Sequence, residues 1–450
     1  MLEESGGLSF RLSLLLGVVV RLVIAPFTGY GFDIEVLKFA ARTYYEGTEI
    51  VLFKNWTNPP LLYYITLFTY SFYFLLHDKL GIPDFYPFAH GTGALEVLFL
   101  KLPFILSDIL IFLLLRRSLS LLGVDKNESL TLSNLYLLNP YVILISAAHG
   151  MWDALASFFL VLGVYFLIKS RVNASQRGIY YATLAFMASF GVKWIGLASL
   201  FVLFTLLIAR KAYVQVGKVV LTSLASLLLL FLPFLVYGYE YLFQVIAFRV
   251  SGGSSPLWGS SHFQLLYFFG VSPSLIESLF VPLYLGFLLV VFVLLLYLYR
   301  TYSSVRQLEP QFFLLFTLLL ITVFYILYYA PLPQLFVWFV AMAPFFLAIK
   351  EIPKAVRGRF QFNFLLFSLV MGMGVLVGKG IAVLFGSVSV PSSWENFFSL
   401  FGGEDPSHPG LTYFLLLRSM LNILRAIFFM YMVYLIGKGI TSLLTDDAND

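Results

Sequence analysis

No cysteine occurs in the 450-residue chain, which excludes disulfides, thiolate metal sites and a cysteine nucleophile together and leaves the redox compartment open. Charge is scarce too: Asp, Glu, Lys and Arg supply 11% of the residues, where soluble domains carry about 25%. With 60% of the residues hydrophobic and 18% aromatic, a water-soluble globular fold is excluded. The chain has no glycine-rich nucleotide loop, no internal repeat and no low-complexity tract beyond the acidic segment 446–450, so a soluble nucleotide substrate is not expected.

What is abundant is apolar length. Runs of about 20 hydrophobic residues recur along the chain, enough for an α-helix to cross a hydrocarbon layer of about 30 Å. The formal charge of +5 sits in short basic clusters between these runs, not in one patch, so it reads as membrane topology and not as nucleic-acid binding. The clusters are Arg116, Arg117 and Lys126; Lys169, Arg171 and Arg177; Arg210, Lys211 and Lys218; Arg300 and Arg306; and Lys350, Lys354, Arg357 and Arg359. Placing them all on the cytoplasmic side predicts spans near 8–27, 95–116, 130–148, 153–169, 178–190, 195–210, 218–238, 280–299, 312–330, 334–349, 362–387 and 411–437. The first run carries Arg11 and Arg21 and lacks a small-residue cleavage site, so it is expected to be retained.

The run 61–76 breaks the alternation and is rich in Tyr and Phe, which fits an interfacial helix in the headgroup region. The expectation is an all-α polytopic membrane protein with about 12 transmembrane helices, both termini cytoplasmic, and a long first external loop over 29–94. Further external loops are predicted over 239–278 and 387–410. All five histidines, His77, His90, His149, His262 and His408, fall on the external side in this arrangement. Residues 1–211 are read as a catalytic module and 212–450 as a variable transmembrane half.

Several side chains invite a chemical role. Asp33 and Glu35, in Gly-Tyr-Gly-Phe-Asp-Ile-Glu, open the first loop where the backbone leaves the bilayer. Such a carboxylate reads either as a helix cap or as a general base taking a proton from a hydroxyl. Asp-x-Glu is also compatible with a divalent metal such as Mg or Mn, although one pair is a weak signal. Trp56 and Tyr63 read as interfacial anchors or as a sugar-stacking surface. A charge inside a span costs about 2.5 to 3.5 kcal/mol on an insertion scale, so Asp108 needs a partner, and Arg21 is the expected one across helices. Lys193 and Trp194 lie at a predicted external turn between two short spans, where a cation can hold an anionic lipid headgroup or simply snorkel. His149 and Asp153 bracket the neighbouring turn, and Arg249 in the second loop is a candidate for gripping phosphate.

The order of these pieces resembles the GT-C superfamily of membrane glycosyltransferases, particularly its members that use dolichyl-phosphate sugars. The similar pieces are Arg21 in the first helix, the acidic Asp33 and Glu35, then Ala40, Ala41 and Gly47, the step Asn58-Pro59-Pro60-Leu61, Lys101 with Asp108, Asn139-Pro140 with the turn from His149 to Asp153, and Gly191-Val192-Lys193-Trp194. Pro333-Gln334-Leu335-Phe336-Val337-Trp338, leading to Pro344, looks like a segment of the first mannosyltransferase of glycolipid-anchor synthesis. The resemblance covers the first 210 or so residues well and the rest in patches. It implies inverting transfer of one sugar, most simply mannose, from a polyprenyl (dolichyl) phosphate donor to a lipid-linked or protein-linked acceptor on the non-cytoplasmic face. Asp33 would be the base, and Lys193 and Arg249 would offset the charge on the departing phosphate; Arg21, Glu35, Trp56, Tyr63, His149, Asp153, Trp194 and Gln334 would line the substrate site. The acidic motif reads Asp-Ile-Glu where Asp-x-Asp is the superfamily pattern, which leaves metal use and donor sugar open.

A transporter or flippase is the main rival, since about 12 spans with buried charges suit it as well, although secondary transporters are commonly built from repeats that this chain lacks. A silent scaffold in a larger membrane complex is a third reading, and no partner subunit is identified. The residue usage favours an archaeal cell membrane over an endoplasmic reticulum.

Overall fold

The computed structural model describes residues 9–29, 31–46, 59–86, 92–250, 271–328, 333–378 and 409–445, and among them there is helix and no strand. Helix α1 (Phe10–Ile24) begins where the Ser9 hydroxyl accepts the Leu12 N–H and runs into a 3₁₀ turn over Ala25–Phe27. Outside the bundle proper lie α2 (Gly31–Tyr45) and α3 (Pro60–Phe74), the latter started by a proline whose missing N–H costs nothing at that position. Helix α3 continues without a break into a π-helical turn over Leu75–Lys79.

The bundle follows as α4 (Ala94–Leu121), α5 (Lys126–Leu137), α6 (Pro140–Ile143), α7 (Asp153–Val172), α8 (Arg177–Phe190), α9 (Gly196–Ala209), α10 (Tyr213–Val250) and α11 (Pro273–Thr301). It closes with the short α12 (Ser303–Gln307), then α13 (Glu309–Leu327), α14 (Phe336–Ala348), α15 (Lys354–Gly378) and α16 (Pro409–Thr445). Among the described residues seven helices are long and apolar enough to cross a membrane, or eight when α5 and α6 count as one bent span. That span bends by 42° at Asn139-Pro140, where proline removes a helix N–H and Asn139 caps the new start. Within the described residues the expected runs fall on helices or on this pair, the ends of runs 312–330 and 362–387 lying outside them; α9 and α14 are apolar but short.

The second external loop is shorter than expected. Residues 239–250 continue α10 and 273–278 already belong to α11, because Tyr237–Val250 offers no proline and a single glycine to stop the helix. The third expected loop, 387–410, lies outside the described residues up to the start of α16.

One hydrophobic core runs through both halves of the chain, from Ile34 and Leu37 of α2 to Phe429 and Leu443 of α16. At its centre every residue of α14 is buried, which is why that helix is hydrophobic all round. Its aromatic side chains interlock with neighbours, Phe336 against Phe367 at 4.8 Å and Phe346 against Phe360 at 4.0 Å between ring centroids.

Two polar ties cross this core. Asp108 of α4 accepts from Arg21 Nε at 2.8 Å and from the Tyr136 hydroxyl at 2.7 Å, and the Ser146 hydroxyl donates to it as well. Arg21 is therefore fully enclosed on its acidic partner, not open to a substrate. Seven residues earlier on the same face, Lys101 Nζ lies 3.0 Å from Ala25 O, 2.6 Å from Thr28 O, 2.8 Å from Ala147 O and 3.0 Å from Ala148 O, with Thr28 Oγ1 at 3.3 Å. These acceptors are what an ammonium with its N–H groups needs in place of water. Lys101→Met leaves the carbonyls without that donor, at a cost of about 3–5 kcal/mol. Thermal melting followed by size-exclusion chromatography is expected to show loss of the folded peak at temperatures where Lys354→Met, at an exposed position, is indistinguishable from the parent.

Candidate active site

Helix α2 starts immediately after the strand of backbone held by Lys101, and Asp33 lies in its first turn. The lysine also grips the carbonyls of Ala147 and Ala148, the two residues before His149. Both ends of the tie therefore converge, and Asp33 Oδ2 meets His149 Nε2 at 2.7 Å with both side chains almost wholly buried. Gly150 follows at φ +86°, and a Cβ there would stand 2.8 Å from Lys101 Cε and 2.9 Å from Ile34 Cδ1. Glycine is required at this turn for its conformation and for the close approach.

The two acids of the Asp-Ile-Glu motif part company. Residues i and i+2 on a helix point about 200° apart, so Asp33 faces the bundle and Glu35 turns to the side. Glu35 Oε1 accepts from Lys38 Nζ at 3.3 Å and from the Thr92 hydroxyl at 3.0 Å, while Lys38 Nζ donates to that hydroxyl at 2.7 Å. A joint metal site on Asp33 and Glu35 does not fit this geometry, and among the described residues no group of three or more His, Asp or Glu side chains is disposed to hold a metal. One turn further on, Arg42 Nε and an Nη reach the two oxygens of Glu96 at 2.8 and 3.0 Å, and the Tyr70 hydroxyl donates to the same carboxylate at 2.9 Å. This fork fastens α2 and α3 to the start of α4. Burial, and then the Glu96 carboxylate, push the Tyr70 phenol well above its ordinary value, and burial lifts that of Tyr63 to about 12.

Asp153, fully buried, opens α7. Its Oδ1 lies 3.8 Å from Lys193 Nζ, which stands over the Trp152 ring at 5.4 Å from the centroid. Lys193 sits in the tight turn 191–195 between α8 and α9, as the short spans predict. Asp33 is within electrostatic reach of Asp153, and the Trp338 indole of α14 faces the Asp153 carboxylate. Asp33, His149, Asp153 and Lys193 thus form one constellation with an aromatic wall of Trp152 and Trp338. Tyr141 and Tyr325 lie close enough to feel both Asp153 and Arg425 of α16, whose guanidinium also donates to Asn422 at 2.8 Å.

The remaining candidates spread out. Tyr63 is buried in α3 beside Tyr64, Trp194 is 38% exposed and packs edge-on to Phe190, and Gln334 is buried in the turn before α14. Trp56 lies outside the described residues, and Arg249 falls within α10 with its side chain outside the description. The sequence reading missed Lys38, Arg42, Thr92, Glu96 and Tyr70, and held Trp338 only as part of the segment from Pro333 to Trp338. Only the Glu35 and Lys38 pair, spaced i, i+3, carried a signal that local spacing reveals.

No protein-family model matches the chain, and no curated protein matches it in sequence. The helical bundle is that of a multi-pass integral membrane protein. Solved structures of ArnT from Cupriavidus metallidurans share this fold: the apo form and the form bound to undecaprenyl phosphate each superpose with a TM-score of 0.50 at 13% identity. Both alignments cover 97% of this chain, against 76% of the apo chain and 77% of the undecaprenyl-phosphate-bound one.

Gly150→Ala forces a left-handed alanine against Lys101 and Ile34, with a strain of about 1–3 kcal/mol. It is expected to lower the melting temperature and to separate His149 from Asp33, seen as faster hydrogen exchange over 145–151; an unchanged exchange pattern would count against the turn as the positioning element.

Proposed function

We propose that this chain is an inverting glycosyltransferase that moves one sugar, most simply mannose, from a polyprenyl-phosphate donor to a hydroxyl of a lipid-linked or protein-linked acceptor on the non-cytoplasmic face. The observation that carries the reading is the buried Asp33 held by His149 beside the Asp153 and Lys193 pair. The fold neighbour that holds undecaprenyl phosphate supports a donor of that class.

In this mechanism Asp33 takes the proton of the acceptor hydroxyl as its oxygen forms a bond to the anomeric carbon. The bond from that carbon to the phosphate oxygen breaks on the opposite face, its electron pair leaves with the polyprenyl phosphate, and the configuration inverts. His149 fixes the carboxylate by donating from Nε2, which orients it toward the acceptor hydroxyl. Lys193, with Asp153 setting its position, offsets charge growing on the phosphate, and Arg249 is proposed to assist. Asp33, His149, Asp153 and Lys193 lie within 1–211, while Arg249 and the Trp338 wall come from the second half.

Purified protein supplied with radiolabelled dolichyl-phosphate mannose, and with other polyprenyl-phosphate sugars in parallel, tests this by thin-layer separation of products. Asp33→Asn is expected to lower transfer by about 10²- to 10⁴-fold with folding intact. Lys193→Gln is expected to lower kcat more than it raises KM, because the cation acts on charge that develops in the transition state. Full activity of the Asp33 variant removes the base, and counterflow of the lipid in vesicles without transfer would favour the transporter instead.

A further inference from the structure

The end of the bundle remote from Asp33 contains a cavity that the proposed reaction does not use. Helix α7 runs 20 residues, about 30 Å, from Asp153 in the candidate site to the loop that follows Arg171. There, between the ends of α7, α8, α9 and α13, lies a cavity of about 350 Å³. Its polar side is built from Arg171, Arg210, Gln215 and Glu309, and its floor from Leu167, Leu203 and Phe313.

The charge of this cavity is positive. Arg210 pairs with Glu309 at 3.0 Å, while Arg171 spends one N–H on the Arg306 carbonyl at 3.3 Å. Arg210, Arg171 and Arg306 all act on Tyr299, so cations outnumber the single carboxylate. The Gln215 side-chain oxygen is enclosed here and has no hydrogen-bond partner among the described residues. The non-glycine residues with left-handed backbone among the described residues are Ala174, at φ 48° on the cavity wall, and Lys211, at φ 58° beside Arg210. Both positions are helix stops: Ser175 N–H closes the end of α7 onto Ser170 O at 3.0 Å, and Ala212 N–H closes the end of α9 onto Leu207 O at 2.9 Å.

We infer that this cavity binds a phosphate ester, its oxygens taken by the guanidinium groups of Arg171 and Arg210. A fork of N–H donors suits phosphate geometry, and the apolar floor gives a hydrocarbon chain a place to lie. Basic pockets between transmembrane helices at one membrane face are a recurrent way of holding lipid headgroups. The inference is independent of the transfer reaction, since none of these residues touches the Asp33 constellation.

The test uses the full chain in detergent, with phosphatidylglycerol and glycerol phosphate as probes in native mass spectrometry and thermal melting. Arg171 is exposed, so Arg171→Gln is expected to fold and to keep its transfer activity. It is expected to weaken binding by about tenfold, the scale of one lost charge-assisted hydrogen bond. Tighter binding of phosphatidylglycerol than of glycerol phosphate upholds the site with a lipid as source, and equal binding upholds it with a free phosphate ester. Binding of neither probe, or binding unchanged in Arg171→Gln, overturns it.

Discussion

The enclosed amine of Lys101 is the constraint on which the geometry of the candidate site rests. Its acceptors come from two places distant in sequence, the turn after α1 and the turn before α7. An unpaired carbonyl in a dry core costs about 1–3 kcal/mol, so the chain adopts the arrangement that brings these turns to one donor. Asp33 and His149 emerge from that arrangement as the first functional side chains on either side. The glycines at positions 29 and 150 permit the approach, both lying against Ile34 and the lysine.

Around this centre the ties grow progressively more exposed. Arg21 and Asp108 are sealed, the Asp33 and His149 pair is almost so, and the Arg42 fork and the Glu35 pair reach the surface of the bundle. The sealed pair costs desolvation and fixes α1 against α4 and α5, whereas the outer ties hold α2 and α3 in place at lower cost.

Much of the fold was legible in the sequence because a bilayer leaves few choices: apolar runs had to be helices, and basic clusters had to share a side. The Arg21 partner of Asp108 and the turn position of Lys193 followed from the same cost of buried charge. The site was legible only in outline. Asp33 and Glu35 look alike in a linear motif, yet helical geometry separates them, and α2 starts three residues earlier than a capping reading of Asp33 places it. His149 as the partner of Asp33 spans 116 positions, and no local pattern encodes that separation. The extent of α10 was misjudged because aromatic, glycine-poor sequence favours helix whether lipid or water surrounds it.

The complete enclosure of α14 bears on biogenesis. This segment of 13 residues is wrapped by α7, α13, α15 and α16, and two of those wrapping helices are synthesised after it. Until they arrive, its phenylalanine faces must rest on lipid or on an insertase, in a span too short to reach both headgroup layers. Any nascent chain arrested before α16 would leave that aromatic surface uncovered, so the packing of α14 is completed only when α16 arrives.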